Sequence, residues 1–192
     1  GGTTPGPVFD TLCDADLDWG RVHVMLTDER WVPEDHERSN TRLLRQRLLV
    51  DRAAEAVYVP LYRDTDTPEE ALDDLSEAIR AELPLSILLL GMGADMHTAS
   101  IFPGADQLDR ALHGDDLLVA MRAPGAPEPR ITLSAKVLKD AMSLHIVIIG
   151  AEKRAALEKA RESRAQPRKQ HFGVDAADRH ADRLGRPRQR LL

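Results

Sequence analysis

Residues 85–90, LSILLL, form a run without apolar–polar alternation that stops at the glycines of GMGADMHTASIFPG (91–104). A run this short and this uniformly apolar suits a strand covered on both faces, the usual condition of a strand in a parallel sheet. Parallel strands cannot be joined by tight turns, so helices must cross over between them. The rest of the chain is therefore expected to alternate strands with helices. The loop after the run should lie at the carboxyl edge of the sheet, where such folds bind ligands.

The flanking sequence keeps to that rhythm. VHVMLT (22–27) predicts a strand, followed by the polar cluster DERWVPEDHERSN (28–40). SNTRLLRQRLL (39–49) predicts a helix with Ser39 or Asn40 as N-cap and Leu43, Leu44 and Leu48 along one face. VYVPL (57–61) is a short strand interrupted by Pro60. TPEEALDDLSEAIRAEL (67–83) has Thr67 as N-cap, Pro68 in the first turn, acids next, and Leu72, Leu75 and Ile79 on one face. LLVAM (117–121) and LHIVII (144–149) predict further strands. ITLSAKVLKDAM (131–142) between them reads as a helix, and AEKRAALEKARE (151–162) as the last one. The fold class is α/β, a doubly wound, mostly parallel sheet with helices on both faces (Rossmann-like). The strand that should precede GGTTP is missing. Residues 1–163 read as one domain, and 164–192 as a basic tail with few large apolar residues that packs poorly.

Composition narrows the function. At 192 residues and 42% hydrophobic content the chain can bury one substantial core. A lone cysteine, Cys13, excludes an internal disulfide, and no apolar run approaches the roughly 18–20 residues that span a bilayer. The start, GGTTPG, is not a signal peptide. These features point to a cytoplasmic protein, with a monomer favoured. The net charge of −6 hides an asymmetry: residues 164–192 hold seven arginines and Lys169 against three aspartates, a balance of +5 that leaves −11 for the body. An acidic body argues against nucleic acid as a partner, since neutralising phosphates needs a basic face.

Five stretches carry chemistry. GGTTP (1–5) offers flexible Gly1 and Gly2, Thr3, a capping Thr4, and Pro5 at a first helical position; it reads equally as a phosphate loop or as a plain N-cap. DERWVP (28–33) sets Arg30, suited to bidentate phosphate contacts, beside Asp28 and Glu29, which would hold it in place. The competing reading is a solvated surface turn. In GMGADMHTASIFPG, His97 can take and return a proton near neutral pH, and Asp95 can orient it. Gly91 and Gly93 would let backbone N–H groups approach a developing oxyanion. Arg130 opens RITLS, and Lys153 starts a helix after a strand, a position opposed by the helix dipole unless an anion binds nearby. The other six histidines lack such settings, and no pair has metal-ligand spacing.

In this order the five stretches resemble the 6-phosphogluconolactonase family, whose usual forms are SGGSTP, DERxVP with a following SN, GMGxDGHTASLFPG, RIT and GAEK; here they read GGTTP, DERWVP…SN, GMGADMHTASIFPG, RITLS and GAEK. The resemblance spans residues 1–163. It implies a fold shared with sugar-phosphate isomerases and hydrolysis of 6-phosphoglucono-1,5-lactone in the oxidative pentose phosphate pathway, without cofactor or metal. It assigns His97 as the general base that activates water and then protonates the departing ring oxygen, with Asp95 in support. Arg30, Arg130 and Lys153, with the Gly1–Thr4 loop, would hold the substrate phosphate.

The sequence also departs from the pattern. Met96 stands where the family has glycine. If that position needs a positive φ, methionine costs about 1–2 kcal/mol and is expected to displace His97. The missing first strand, and a tail unlike the family's closing strand, suggest a truncated chain. Three alternatives follow from these observations. Glucosamine-6-phosphate deaminase would show a GHIAFNEP-like segment where HTASIFPG stands. A non-catalytic sugar-phosphate sensor would carry a helix-turn-helix module, and none is visible. An inactive lactonase fragment would fit the altered ends.

Overall fold

The computed structural model describes residues 4–165. Along them the chain runs α1 (Gly6–Leu12), β1 (His23–Met25), β2 (Asp28–Arg30), α2 (Asn40–Arg47), β3 (Val57–Val59), α3 (Leu72–Arg80), β4 (Ile87–Gly91), α4 (Leu108–His113), β5 (Leu118–Met121), β6 (Arg130–Leu133), α5 (Ala135–Lys139), β7 (Ser143–Val147) and α6 (Ala151–Ala165). The expected α/β alternation is present in two parallel pairs, β1 beside β3 and β4 beside β7. A third sheet, β2–β6–β5, is antiparallel, and this part of the topology was not anticipated.

The helices form for the reasons their sequences carry. Ser39, not Asn40, caps α2: its backbone is extended and its Oγ accepts from the Arg42 amide at 3.2 Å. Leu44 and Leu48 on the inner face of α2 are buried with Cys13, Trp19 and Ala53 in a small core. Thr67 opens a 3-10 turn, Pro68–Ala71, that leads into α3; its hydroxyl donates to Glu70 rather than capping the backbone. Leu75 and Ile79 on α3 are completely buried and pack with Leu61, Leu118, Met121, Ile131 and Leu133 in the main core. Each such side chain contributes about 1.5–3 kcal/mol by leaving water.

Several expectations are corrected. LSILLL enters a strand at Ile87, but among the described residues only one face of that strand is covered: Leu88 and Leu90 are buried while Ile87 is 73% exposed, and Leu144 and Ile146 on β7 are exposed too. Alternating side chains leave opposite faces of a strand, and α3 and the core meet only one of them. The helix expected over 131–142 is instead β6 followed by the short α5. RITL is claimed on one side by β2 and on the other by β5, so pairing overrides the helical spacing that Ile131 shares with Ala135 and Leu138. DER is likewise a strand and not a solvated turn, because its two acids have buried partners. Thr4 is no cap: α1 begins at Gly6 with Pro5 as the N-cap residue and no side-chain cap. The basic tail and the loop residues Gly1, Gly2 and Thr3 fall on positions outside the described residues, except for the end of α6.

Candidate active site

Parallel register between β4 and β7 sets Gly91 beside Val147, so the segments that follow both strands leave the same edge. After β4 the chain folds into a tight loop. The Met96 amide donates to the Gly93 carbonyl at 3.0 Å, and the Gly93 amide donates to the His97 carbonyl at 2.9 Å. Met96 adopts φ 69°, the left-handed region that the expected glycine would occupy freely. Gly93 is required for space: a Cβ there would overlap the His97 ring and Asp95 Oδ1. Its amide is already spent on His97, so Gly93 is not the oxyanion donor expected from the sequence. Gly91 has open space where a Cβ would stand.

The loop brings Asp95 and His97 together. Asp95 Oδ1 lies 2.6 Å from His97 Nδ1 and also accepts the His97 amide at 3.3 Å. The displacement of His97 expected from Met96 does not occur; the pair is closed. Partial burial pulls the Asp95 carboxyl upward, but the hydrogen bonds from His97 outweigh it and hold the group below the ordinary carboxylate value. An ionised carboxylate only accepts, so Nδ1 carries a proton, and in the neutral imidazole that tautomer leaves the lone pair on Nε2. The imidazole also meets Phe102, whose ring centroid is 4.2 Å away. On Phe102 also lies the Arg130 guanidinium, its central carbon 5.2 Å from the ring centre.

Arg130 and Arg30 are directly opposed in the antiparallel β2–β6 ladder. Like charges facing each other across a ladder repel, and here both are partly buried. Burial, and then the Arg30 charge, hold Arg130 below the usual arginine value. The Nε atoms of both arginines are buried and have no hydrogen-bond partner among the described residues. Arg30 is fixed by donating Nη1 to the Arg38 carbonyl at 2.6 Å and to Asn40 Oδ1 at 2.9 Å. Guanidinium donors paired in this way have the chemistry to bind a planar or tetrahedral oxyanion.

The acids around them are structural. Glu29 is fully buried; its Oε1 accepts from the Arg30 and Asn40 amides, and its Oε2 from Ser39 Oγ, the Thr41 amide and Thr41 Oγ1, all within 3.0 Å. It anchors the N-terminus of α2, where the helix dipole favours a negative charge. Asp28, 6% exposed, accepts from Ser100 Oγ at 2.6 Å and lies 4.0 Å from Arg130 Nη1. Of the residues expected at the site, Gly93, Asp95, His97, Asp28, Glu29, Arg30 and Arg130 are joined by these contacts. Lys153 stands in the first turn of α6, which follows β7 at the same sheet edge. Thr4 makes no cap contact. Sequence reasoning missed Ser100, Phe102, Thr132, Arg38 and, as an Arg30 partner, Asn40. The signal for Ser100 and Phe102 was their place in the His97 loop; for Asn40 it was the SN that follows DERWVP.

The model of the glucosamine-6-phosphate isomerases/6-phosphogluconolactonase family matches residues 1–181. The chain belongs to this family. Among its relatives, a 6-phosphogluconolactonase of Rhizobium meliloti is 44% identical over 167 residues, 85% of this chain and 72% of that protein. One from Pseudomonas aeruginosa is 40% identical over 83% of this chain and 68% of that protein. In structure, a 6-phosphogluconolactonase of Shewanella baltica superposes with a TM-score of 0.81 at 36% identity, covering 83% of this chain and 69% of that one. The family's α/β fold is thereby shared. Among the described residues, no helix is long and apolar enough to cross a membrane, and no three His, Cys, Asp or Glu side chains cluster as metal ligands.

Proposed function

We propose that the protein hydrolyses 6-phospho-D-glucono-1,5-lactone to 6-phosphogluconate, with His97 as general base. The observation that carries the reading is the closed Asp95–His97 pair, joined through Phe102 to the opposed Arg30 and Arg130. Its relatives at 40–44% identity are named for this lactone. His97 Nε2 takes a proton from water as the oxygen bonds to the lactone carbonyl carbon, and the carbonyl electron pair moves to its oxygen. Collapse of that tetrahedral oxyanion breaks the bond to the ring oxygen, which receives the proton back from His97. Lactone and water account for every atom and electron pair, so the reaction calls for no cofactor.

Asp95 keeps the imidazole in the tautomer with a free Nε2 and stabilises the imidazolium that forms. Arg30 and Arg130 bind the phosphate dianion, and Lys153 at the head of α6 adds a third cation. General-base catalysis of this kind is worth about 10²–10⁴-fold. The natural setting on this reading is a cytoplasmic monomer in the oxidative pentose phosphate pathway.

The test is hydrolysis of the phosphorylated lactone beside unphosphorylated glucono-1,5-lactone. Hydrolysis well above the spontaneous rate, with kcat/KM higher for the phosphorylated substrate, is expected. Equal turnover of both lactones would contradict the arginine assignment, and none of either would contradict the activity.

A further inference from the structure

We propose that Ser100 is a positioning residue for phosphate binding: it occupies the Asp28 carboxylate and so keeps Arg130 available to the substrate anion. The proposal rests on the reading of Arg30 and Arg130 as the phosphate site. Side chains two apart on a strand share a face, so Asp28 and Arg30 on β2 stand together, opposite Thr132 and Arg130 on β6. One patch of ladder thus holds an acid, two cations and a hydroxyl. Ser100, from the loop that carries His97, enters this patch fully buried. Its amide donates to Thr132 Oγ1 at 3.2 Å, and its hydroxyl donates to Asp28 Oδ2 at 2.6 Å.

The Asp28 oxygen that Ser100 holds is the one 4.0 Å from Arg130 Nη1, beyond hydrogen-bond distance. Asp28 Oδ1 is engaged by Thr27 Oγ1 at 3.2 Å. A buried carboxylate stripped of a donor takes the next one within reach, and that donor is Arg130. Without the Ser100 hydroxyl, Arg130 closes on Asp28 and must be pulled off it by the substrate phosphate. The serine that anchors the His97 loop therefore also sets the affinity of the anion site.

The decisive experiment titrates inorganic phosphate into the full chain by calorimetry, in the wild type, Ser100→Ala, Asp28→Asn and the double variant, with folding checked by circular dichroism. Ser100→Ala is expected to weaken phosphate binding about 3- to 10-fold, the net scale of one ordinary hydrogen bond. In the Asp28→Asn background the same change is expected to alter binding less than about 2-fold, because the competing charge is gone. With the lactone, the Ser100→Ala loss should fall on KM more than on kcat, whereas a merely structural serine would lower the active fraction and leave KM alone. If Ser100→Ala does not fold, Ser100→Cys, with its weak S–H donor, should weaken phosphate binding in the same direction by a smaller factor. Unchanged phosphate affinity in the folded serine variants, an equal loss in both backgrounds, or a wild type that binds no phosphate would overturn the proposal. The titration needs no turnover, so failure to hydrolyse the lactone contradicts the proposed activity while the phosphate affinities still decide the role of Ser100.

Discussion

Met96 holds φ at 69° in a turn closed by two backbone hydrogen bonds, and replacing it with glycine isolates the energy of that conformation. A side chain with a Cβ in the left-handed region costs about 1–2 kcal/mol. Glycine removes that cost but gives up about 0.5–1 kcal/mol through its greater freedom in the unfolded chain. The Met96 side chain is 40% exposed, so little packing is lost with it. Met96→Gly should therefore stabilise the protein by about 0.5–1 kcal/mol, a rise in Tm of about 1–4 °C for a chain of this size. Met96→Ala keeps a Cβ at the same φ and should show no gain, which separates backbone strain from the loss of the thioether. Because the Asp95–His97 pair is already closed at 2.6 Å, kcat should change less than about 3-fold. Thermal and urea unfolding with initial-rate kinetics measure all of this. A Met96→Gly variant destabilised by 1 kcal/mol or more would refute the strain argument. A 10-fold rise in kcat would show that methionine holds His97 out of place in solution.

Two further outcomes follow from buried groups. Glu29→Gln replaces an acceptor with a donor among five hydrogen-bond donors and should cost about 3 kcal/mol, or about 6–12 °C in Tm, by loosening α2 from β2; a loss below 1 kcal/mol in urea unfolding would contradict the anchoring role. Burial, with added repulsion from Glu34 and Glu29, pushes the Tyr58 hydroxyl up to about 12 from an ordinary value of 10.0. A raised acid favours the protonated native state, so the contribution is complete below pH 10 and lost as pH rises towards 12. Stability should fall over that window in wild type and less in Tyr58→Phe, as followed by unfolding at stepped pH.

The sequence made the frame legible where one physical cause dominated. The strands VHVM, VYV and LLVAM and the helix over Asn40–Arg47 announced themselves by β-branching, apolar spacing and a serine cap. What stayed hidden depended on partners distant in the chain. DER looks like a surface turn until Glu29 is seen to meet α2 and Asp28 to meet Ser100, 72 residues on. Ile131 and Leu133 have strand spacing while Ile131, Ala135 and Leu138 have helical spacing, and β2 and β5 on either side of RITL decide between them. At the site, His97, Asp95 and Arg130 were readable from residue chemistry and motif order. A positive φ at Met96 was raised only as a condition and is met at 69°, while Asp95 stands 2.6 Å from His97, where the sequence expected it to orient the ring. Phe102 and Ser100 escaped notice because their place in the His97 loop was the only signal they gave, their roles depending on Arg130 and Asp28 far along the chain.

The account stands on His97 as the proton carrier, and its direct measurement is the steady-state rate of 6-phosphoglucono-1,5-lactone hydrolysis in wild type and His97→Ala, with phosphate affinity measured on both. The account predicts that kcat falls by about 10²–10⁴-fold while phosphate binding, made by Arg30 and Arg130, stays within about 2-fold. Comparable turnover in the two proteins would contradict it.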